Sequence, residues 1–159
     1  MDIGTLATIV GIAVLLVLSG FFSGSETALT AASRPRLFQL AAKGNRRAMI
    51  VNRLRNDQDR MIGTILLGNN LVNILGSALA TSLLISFFGE TGVVYATIAM
   101  TLLVLIFGEI LPKTYAFGNA DRLALAIAPT FMVLVRLLGP IMSSLQFVTR
   151  GLQKMLGVK

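Results

Sequence analysis

The sequence predicts an all-α membrane protein: three transmembrane helices with amphipathic, belt-like juxtamembrane helices. Three observations predict it. Of 159 residues, 55% are hydrophobic, and the mean hydropathy is +0.79. Several apolar stretches reach about 20 residues, the length that crosses a hydrocarbon core. Charged residues make up 13%, about half the share of a soluble domain. A chain of this length is expected to be one domain, here 1–159.

The first span is expected at about 3–30. Its outer part is apolar, and its inner part carries Ser19, Ser23, Ser25 and Glu26 close together. Such a face belongs against protein or a water-filled cavity rather than lipid. Residues 33–60 change character. Ser33 can cap a helix with Pro35 in its first turn. Eight Arg and Lys, from Arg34 to Arg60, alternate with Leu37, Leu40, Met49, Ile50 and Leu54, which reads as amphipathic helices on the membrane surface. A second span is expected at about 61–88 and a third at about 93–117, joined by the short link Gly89-Glu90-Thr91-Gly92. A second juxtamembrane region covers 121–157, interrupted by Pro129, Arg136 and Gly139-Pro140 and ending in a basic tail. A fourth span there would carry those positive charges outside. The positive-inside rule favours three spans, with the N-terminus outside and both basic segments cytoplasmic, in a plasma (inner) membrane.

The chain has no Cys, His or Trp. That excludes disulfides, thiolate or imidazole metal sites, and Cys- or His-based catalysis. No nucleophile–base pair or cofactor motif is present, so an enzyme is not expected. The net charge of +7 lies beside apolar spans and reads as topology and anionic lipid headgroups. No base-stacking or groove-reading module accompanies it, so nucleic acid is not an expected partner.

Each span carries a polar cluster. Ser19 and Ser23 share a helical face, with Glu26 three residues on. Asn70 and Asn73 share a face of the second span, with Asn69 beside them. On the third, Glu109 stands near Pro112. Proline has no N–H, and at α-helical spacing the carbonyl left without a donor is that of Gly108. Within lipid a lone carbonyl needs a partner, and a cation supplies one. The available donors are therefore hydroxyls, amides, a main-chain oxygen and carboxylates, the set that hard cations such as Mg²⁺, Ca²⁺ and Na⁺ prefer. Each element also has a plain structural use. Ser hydroxyls bond to their own helix, Asn joins helices, proline kinks them, Glu109 pairs with Lys113, and Glu26 pairs with Arg34 or another surface cation. Gly76 and Ala80 suit either a dimer contact or packing within one bundle.

Three motifs, SGFFSGSETAL at 19–29, LLGNNLVN at 66–73 and FGEILPK at 107–113, resemble in order and spacing the DUF21 membrane domain of the CorC/CNNM magnesium-transport family, over nearly the whole chain. The resemblance implies a homodimer through the membrane domain, with juxtamembrane helices as a belt. It implies Mg²⁺ transport, generally export, by alternating access coupled to Na⁺. The implied metal ligands are Ser19 or Ser23, Asn70, and Gly108 with Glu109, supported by Asn69, Asn73, Glu26, Pro112 and Lys113. A β-branched residue at position 70 would be usual in the second motif, which makes Asn69 the alternative ligand to Asn70. Family members continue into nucleotide-binding CBS domains and a small C-terminal domain. These 159 residues contain neither, so no nucleotide is expected here. The alternative function is a Mg²⁺-sensing or anchoring module that regulates another transporter without moving ions.

Overall fold

A computed structural model describes residues 2–157, and every regular element among them is helical. Asp2 opens α1 (Ile3–Ala31) by accepting from the Thr5 N–H at 2.8 Å, satisfying a free donor of the first turn. With 29 residues, α1 is about 44 Å long, more than a hydrocarbon core requires. Its outer half is mostly exposed, whereas Ser19, Ser23, Ser25, Ala28 and Leu29 are buried.

Residues 33–60 fold as two short helices and the start of a third. Ser33 caps α2 (Arg34–Ala42). α2 closes with Gly44 at φ 95°; Gly44 N–H donates to Ala41 and Asn45 N–H to Leu40, each at 3.0 Å. This pair of bonds uses up the last carbonyls of the helix and needs a residue that tolerates positive φ. Asn45 then caps α3 (Arg46–Asn56). α4 (Gln58–Phe88) follows directly and ends at Gly89.

A 3₁₀ turn, Gly89–Thr91, returns the chain into α5 (Gly92–Leu103). α4 and α5 run antiparallel: Gly92 sits on the Leu84 main chain with no room for a methyl, and Gly76 faces Met100. Gly76 also meets Leu15 of α1, and Ala80 is buried. These small residues serve close packing within one bundle. Beyond α5 the helix changes register. Val104–Ile110 is a π-helix, and Leu111 N–H donates to the Ile106 carbonyl, five residues back. α6 (Leu111–Gly118) resumes α-helical spacing. α5 packs on α4, whereas the π-segment and α6 pack on α1. The third helical rod therefore crosses from one neighbour to the other at its change of register.

α7 (Ala120–Leu137) and α8 (Gly139–Met155) make up the last region and meet at a bend of 62°. α7 buries Ala124, Ala128 and Phe131 and packs on α1 and α3. α8 touches α4 where Met142 fills the space over Gly63. The core lies where α1, α3, α4 and α7 meet, with Leu29, Val51, Met61, Ile65 and Phe131 fully buried.

Two stretches, Ile3–Ala31 and Gln58–Gly118, are long and apolar enough to cross a membrane, and the bent α7–α8 pair makes a third if counted as one span. Large apolar side chains cover the outside of these rods, among them Val14, Val17, Leu71, Ile74, Val94, Ile98 and Leu102. On a soluble protein such a surface would be an association liability; here it suits lipid.

Candidate functional site

The inner half of α1 brings the polar clusters together. α1 and α4 run antiparallel, with the Phe22 ring filling the space over Gly68 and Leu15 level with Gly76. At this seam the Ser19 hydroxyl donates to Asn69 Oδ1 at 3.2 Å. Asn73, one turn along α4, donates its amide to the same oxygen at 3.4 Å. From the third rod, Gly108 approaches so closely that a methyl there would lie 2.7 Å from Ser19 Oγ. Ser19, fully buried, is thus the point where all three rods meet.

Ser23 lies one turn further along the same face of α1. It is 1% exposed, and its hydroxyl has no hydrogen-bond partner among the described residues. Buried hydroxyls almost always find a partner. Even the exposed or half-buried hydroxyls of Thr8, Thr30, Thr81, Thr97 and Thr101 bond to the carbonyl four residues back. Ser23 does not, which leaves its oxygen free to receive a ligand.

Asn69, not Asn70, meets Ser19. α4 turns Gly68, Val72 and Gly76 toward α1. Asn69 falls at the edge of that face, and Asn70 lies a further 100° around the helix, where it is exposed. Of the two candidates in this motif, Asn69 is therefore the one at the Ser19 seam, and Asn70 faces away from it.

Pro112 also affects a second carbonyl. At α-helical spacing the carbonyl without a donor is that of Gly108. Leu111 N–H donates to the Ile106 carbonyl in π-register, so the Phe107 carbonyl, next in that register and opposite position 112, also has no donor from the proline. Gly20 of α1 packs on this carbonyl and on Pro112: a methyl at Gly20 would lie 3.2 Å from the Phe107 oxygen and 3.1 Å from the proline ring. π-segments of this kind are frequent at functional sites. Gly108 remains the residue at Ser19.

Glu109 is half-buried beside Gly108 and pairs with Lys113, Oε2 to Nζ 3.6 Å. Glu26 is half-buried too; Thr30 donates to its main-chain carbonyl at 2.8 Å. The expected Glu26–Arg34 pair is not among the ion pairs of the described residues. Among these residues no three acidic side chains gather, so a cation here must draw on Ser, Asn and main-chain oxygens in addition to Glu109. That donor set is hard, and it fits Mg²⁺, Ca²⁺ or Na⁺ better than a soft metal.

Sequence reading missed three further features. The Thr64 hydroxyl, like that of Ser25 on the polar face already noted, is fully buried and without a partner among the described residues. A groove of about 320 Å³ runs between α4 and α5, lined by Asn73, Ser77, Thr81, Thr97 and Thr101; the repeat of hydroxyl residues every four positions was visible in the sequence. Arg55 of α3 donates through Nε to the Leu29 carbonyl at 2.7 Å and through Nη2 to that of Ala32. α1 has no basic residue in its last turn, so the cation that favours a helix C-terminus comes from another helix. Burial lowers the pKa of Arg55, Arg34 pushes the same way, and Asp121 offsets both. Asp121 of α7 in turn accepts from Ser33 N–H at 2.7 Å and pairs with Arg36 at 3.4 Å.

An all-helical membrane domain with a hard-donor cluster inside its bundle is the class this fold and site define. The chain matches the cyclin M (CNNM) transmembrane N-terminal domain over residues 10–159. It is 42% identical over 142 residues to the UPF0053 inner membrane protein YfjD of Escherichia coli, covering 89% of this chain and 33% of that protein. It is 36% identical to a UPF0053 protein of Haemophilus influenzae, covering 100% of this chain and 38% of the other. A chloroplastic DUF21 domain-containing protein of Arabidopsis thaliana is 37% identical, covering 93% and 22%. The chain belongs to the CNNM/DUF21 family of membrane domains, and it spans about a third of the length of the bacterial relatives just named.

Proposed function

We propose that this domain carries Mg²⁺ across a plasma (inner) membrane as a dimeric, alternating-access carrier, exporting it in exchange for Na⁺. The observation that carries the reading is the meeting of Ser19, Asn69 and Gly108 from three rods, with the partnerless buried hydroxyl of Ser23 one turn away. Ser19 and Ser23 hydroxyls, the Asn69 amide oxygen and a main-chain oxygen of the π-segment hold the ion, and Glu109 supplies charge. Such oxygens replace part of the ion's water shell. The family supports a membrane role; ion, coupling and direction rest on this donor chemistry and on the resemblance.

The run Gln58–Gly118 reverses direction at Gly89–Thr91 and so makes two passes. With α1 this gives three spans, the N-terminus outside and α2, α3, α7 and α8 forming a cytoplasmic belt. Arg34, Arg46, Arg47, Arg53 and Arg150 of that belt meet anionic headgroups. α6 packs on α1 rather than on α4, and the Ser19 and Ser23 hydroxyls are buried at this seam. Movement of the third rod against α4, with the π-segment as its hinge, exposes the site to one side and then to the other and is the alternating step. The protein's part is binding and gating, with no bond made or broken.

The test is flux. Proteoliposomes containing only this chain and a Mg²⁺-sensitive dye inside report Mg²⁺ entry, and Glu109→Ala abolishes it. Unchanged flux in Glu109→Ala removes that residue from the mechanism. A silent wild-type chain that still binds Mg²⁺ establishes a sensing or anchoring role instead.

A further inference from the structure

We propose that Lys113 is a tethered competitor of the carried cation: its ammonium occupies Glu109 when no ion is bound and leaves when the ion arrives. The inference rests on the carrier reading above and assigns a role to a residue that reading does not use.

The pair has three properties that suit exchange. First, it lies within an apolar rod, where an ionisable residue is costly unless it has a partner or a task. The Ile106, Ile110 and Leu111 side chains around it are exposed on the apolar surface. Glu109 and Lys113 are one turn apart on this rod and neutralise each other. A pair with only a structural task is replaceable by two apolar side chains at little cost in stability. Second, the contact is loose. Nζ lies 3.6 Å from Oε2, longer than the roughly 2.7–2.9 Å of a full charge-assisted hydrogen bond. Both side chains are partly exposed, 37% for Glu109 and 41% for Lys113, so neither is locked in by packing. Third, Glu109 has an alternative partner site at hand. Its neighbour Gly108 packs on Ser19, which is bonded to Asn69, and these are the oxygens that would present a cation to its carboxylate.

The carboxylate has a cationic partner in both states. In the ion-free state the carboxylate and the ammonium sum to zero. When a cation binds, the carboxylate turns to it, and the ammonium swings away on its four-carbon stem toward the aqueous end of the rod, as lysine side chains readily do. No proton moves and no covalent bond changes. When the cation leaves, Lys113 returns, and the emptied site holds no bare carboxylate in the bilayer. Lysine therefore weakens cation binding and favours release.

The arithmetic sets the scale. If Lys113 occupies Glu109 for about nine-tenths of the time in the ion-free protein, apparent affinity is reduced on the order of tenfold. Calorimetric titration of Mg²⁺ into the detergent-solubilised chain therefore gives a Kd about tenfold tighter for Lys113→Gln than for the wild type, with Lys113→Arg close to the wild type. Charge removal alone would also tighten binding, so the displacement is read directly. Mass spectrometry of amine-labelled protein shows Lys113 labelling faster with Mg²⁺ present, and in Glu109→Gln it is fast with or without Mg²⁺. Should Lys113→Gln fold poorly, Lys113→Cys treated with bromoethylamine rebuilds a lysine-like amine on a chain that has no other cysteine, and alkylation with iodoacetamide gives its neutral counterpart. Equal or weaker Mg²⁺ binding without the amine, or Lys113 labelling that Mg²⁺ leaves unchanged, overturns the inference while leaving the carrier reading intact. A wild-type chain that shows no Mg²⁺ binding overturns both.

Discussion

Ser19 shows how little room the site leaves for change. Its hydroxyl is bonded to Asn69, and Gly108 of the third rod packs against it. A methyl at 108 would stand 2.7 Å from the Ser19 oxygen, too close for any side-chain carbon, so Ser19 must rotate away or the rods must part. Overpacking of this kind costs roughly 1–3 kcal/mol. Gly108→Ala is expected to weaken Mg²⁺ binding by more than tenfold in calorimetry while the far-ultraviolet dichroism stays helical. Unchanged affinity would show that Ser19 and Gly108 pack together without serving the ion. The residues legible in advance were those whose chemistry is unusual for a membrane span: Ser19, Ser23, Gly108 and Glu109. The choice between Asn69 and Asn70 was not legible, because adjacent residues differ only by 100° around a helix and only the packing partner decides which one points inward.

At the scale of elements, the third rod and the end of α1 carry most of the new information. A proline within an apolar helix was visible, and so was the loss of one main-chain donor. The response of the helix was not: it widens into a π-segment, which adds the Phe107 carbonyl to those that Pro112 cannot serve. The choice depends on Gly20 and Pro112 meeting across the α1 interface, a contact between residues distant in sequence. The end of α1 is held in a comparable way. Arg55 and Asp121 grip its last carbonyls and the Ser33 N–H. Hydrogen bonds from a charged donor are worth about 1.5–3 kcal/mol each. Arg55→Gln is therefore expected to lower the melting temperature in detergent by several degrees, with Arg55→Lys recovering only part because an ammonium lacks the fork that reaches two carbonyls. An unchanged melting temperature would mean that α1 is held by its apolar contacts alone.

For the whole molecule, the arrangement that matters is a bundle whose third rod starts against α4 and ends against α1. That crossing brings Gly108 to Ser19 and leaves α6 packed on α1 rather than on α4. The three-pass reading makes a direct prediction, aided by the absence of cysteine. A single cysteine at Thr91 in the hairpin link is labelled by an impermeant thiol reagent added outside intact cells. A single cysteine at Lys43, in the turn between α2 and α3, is labelled only after the membrane is opened. Labelling of both from the same side would remove the three-pass topology and with it the proposed sidedness of transport.

The sequence by itself determined that the chain is helical, that it belongs in a membrane, and which residue types any cation site would offer. Those properties depend on hydropathy, on periodicity and on the identity of donor atoms, all of which are local. Tertiary structure alone decided which of two asparagines meets Ser19, which further carbonyl the proline frees, and that Arg55 closes α1. Each depends on the rotation of one helix against another, fixed by small contacts such as Phe22 over Gly68 and Pro112 over Gly20 between residues far apart along the chain.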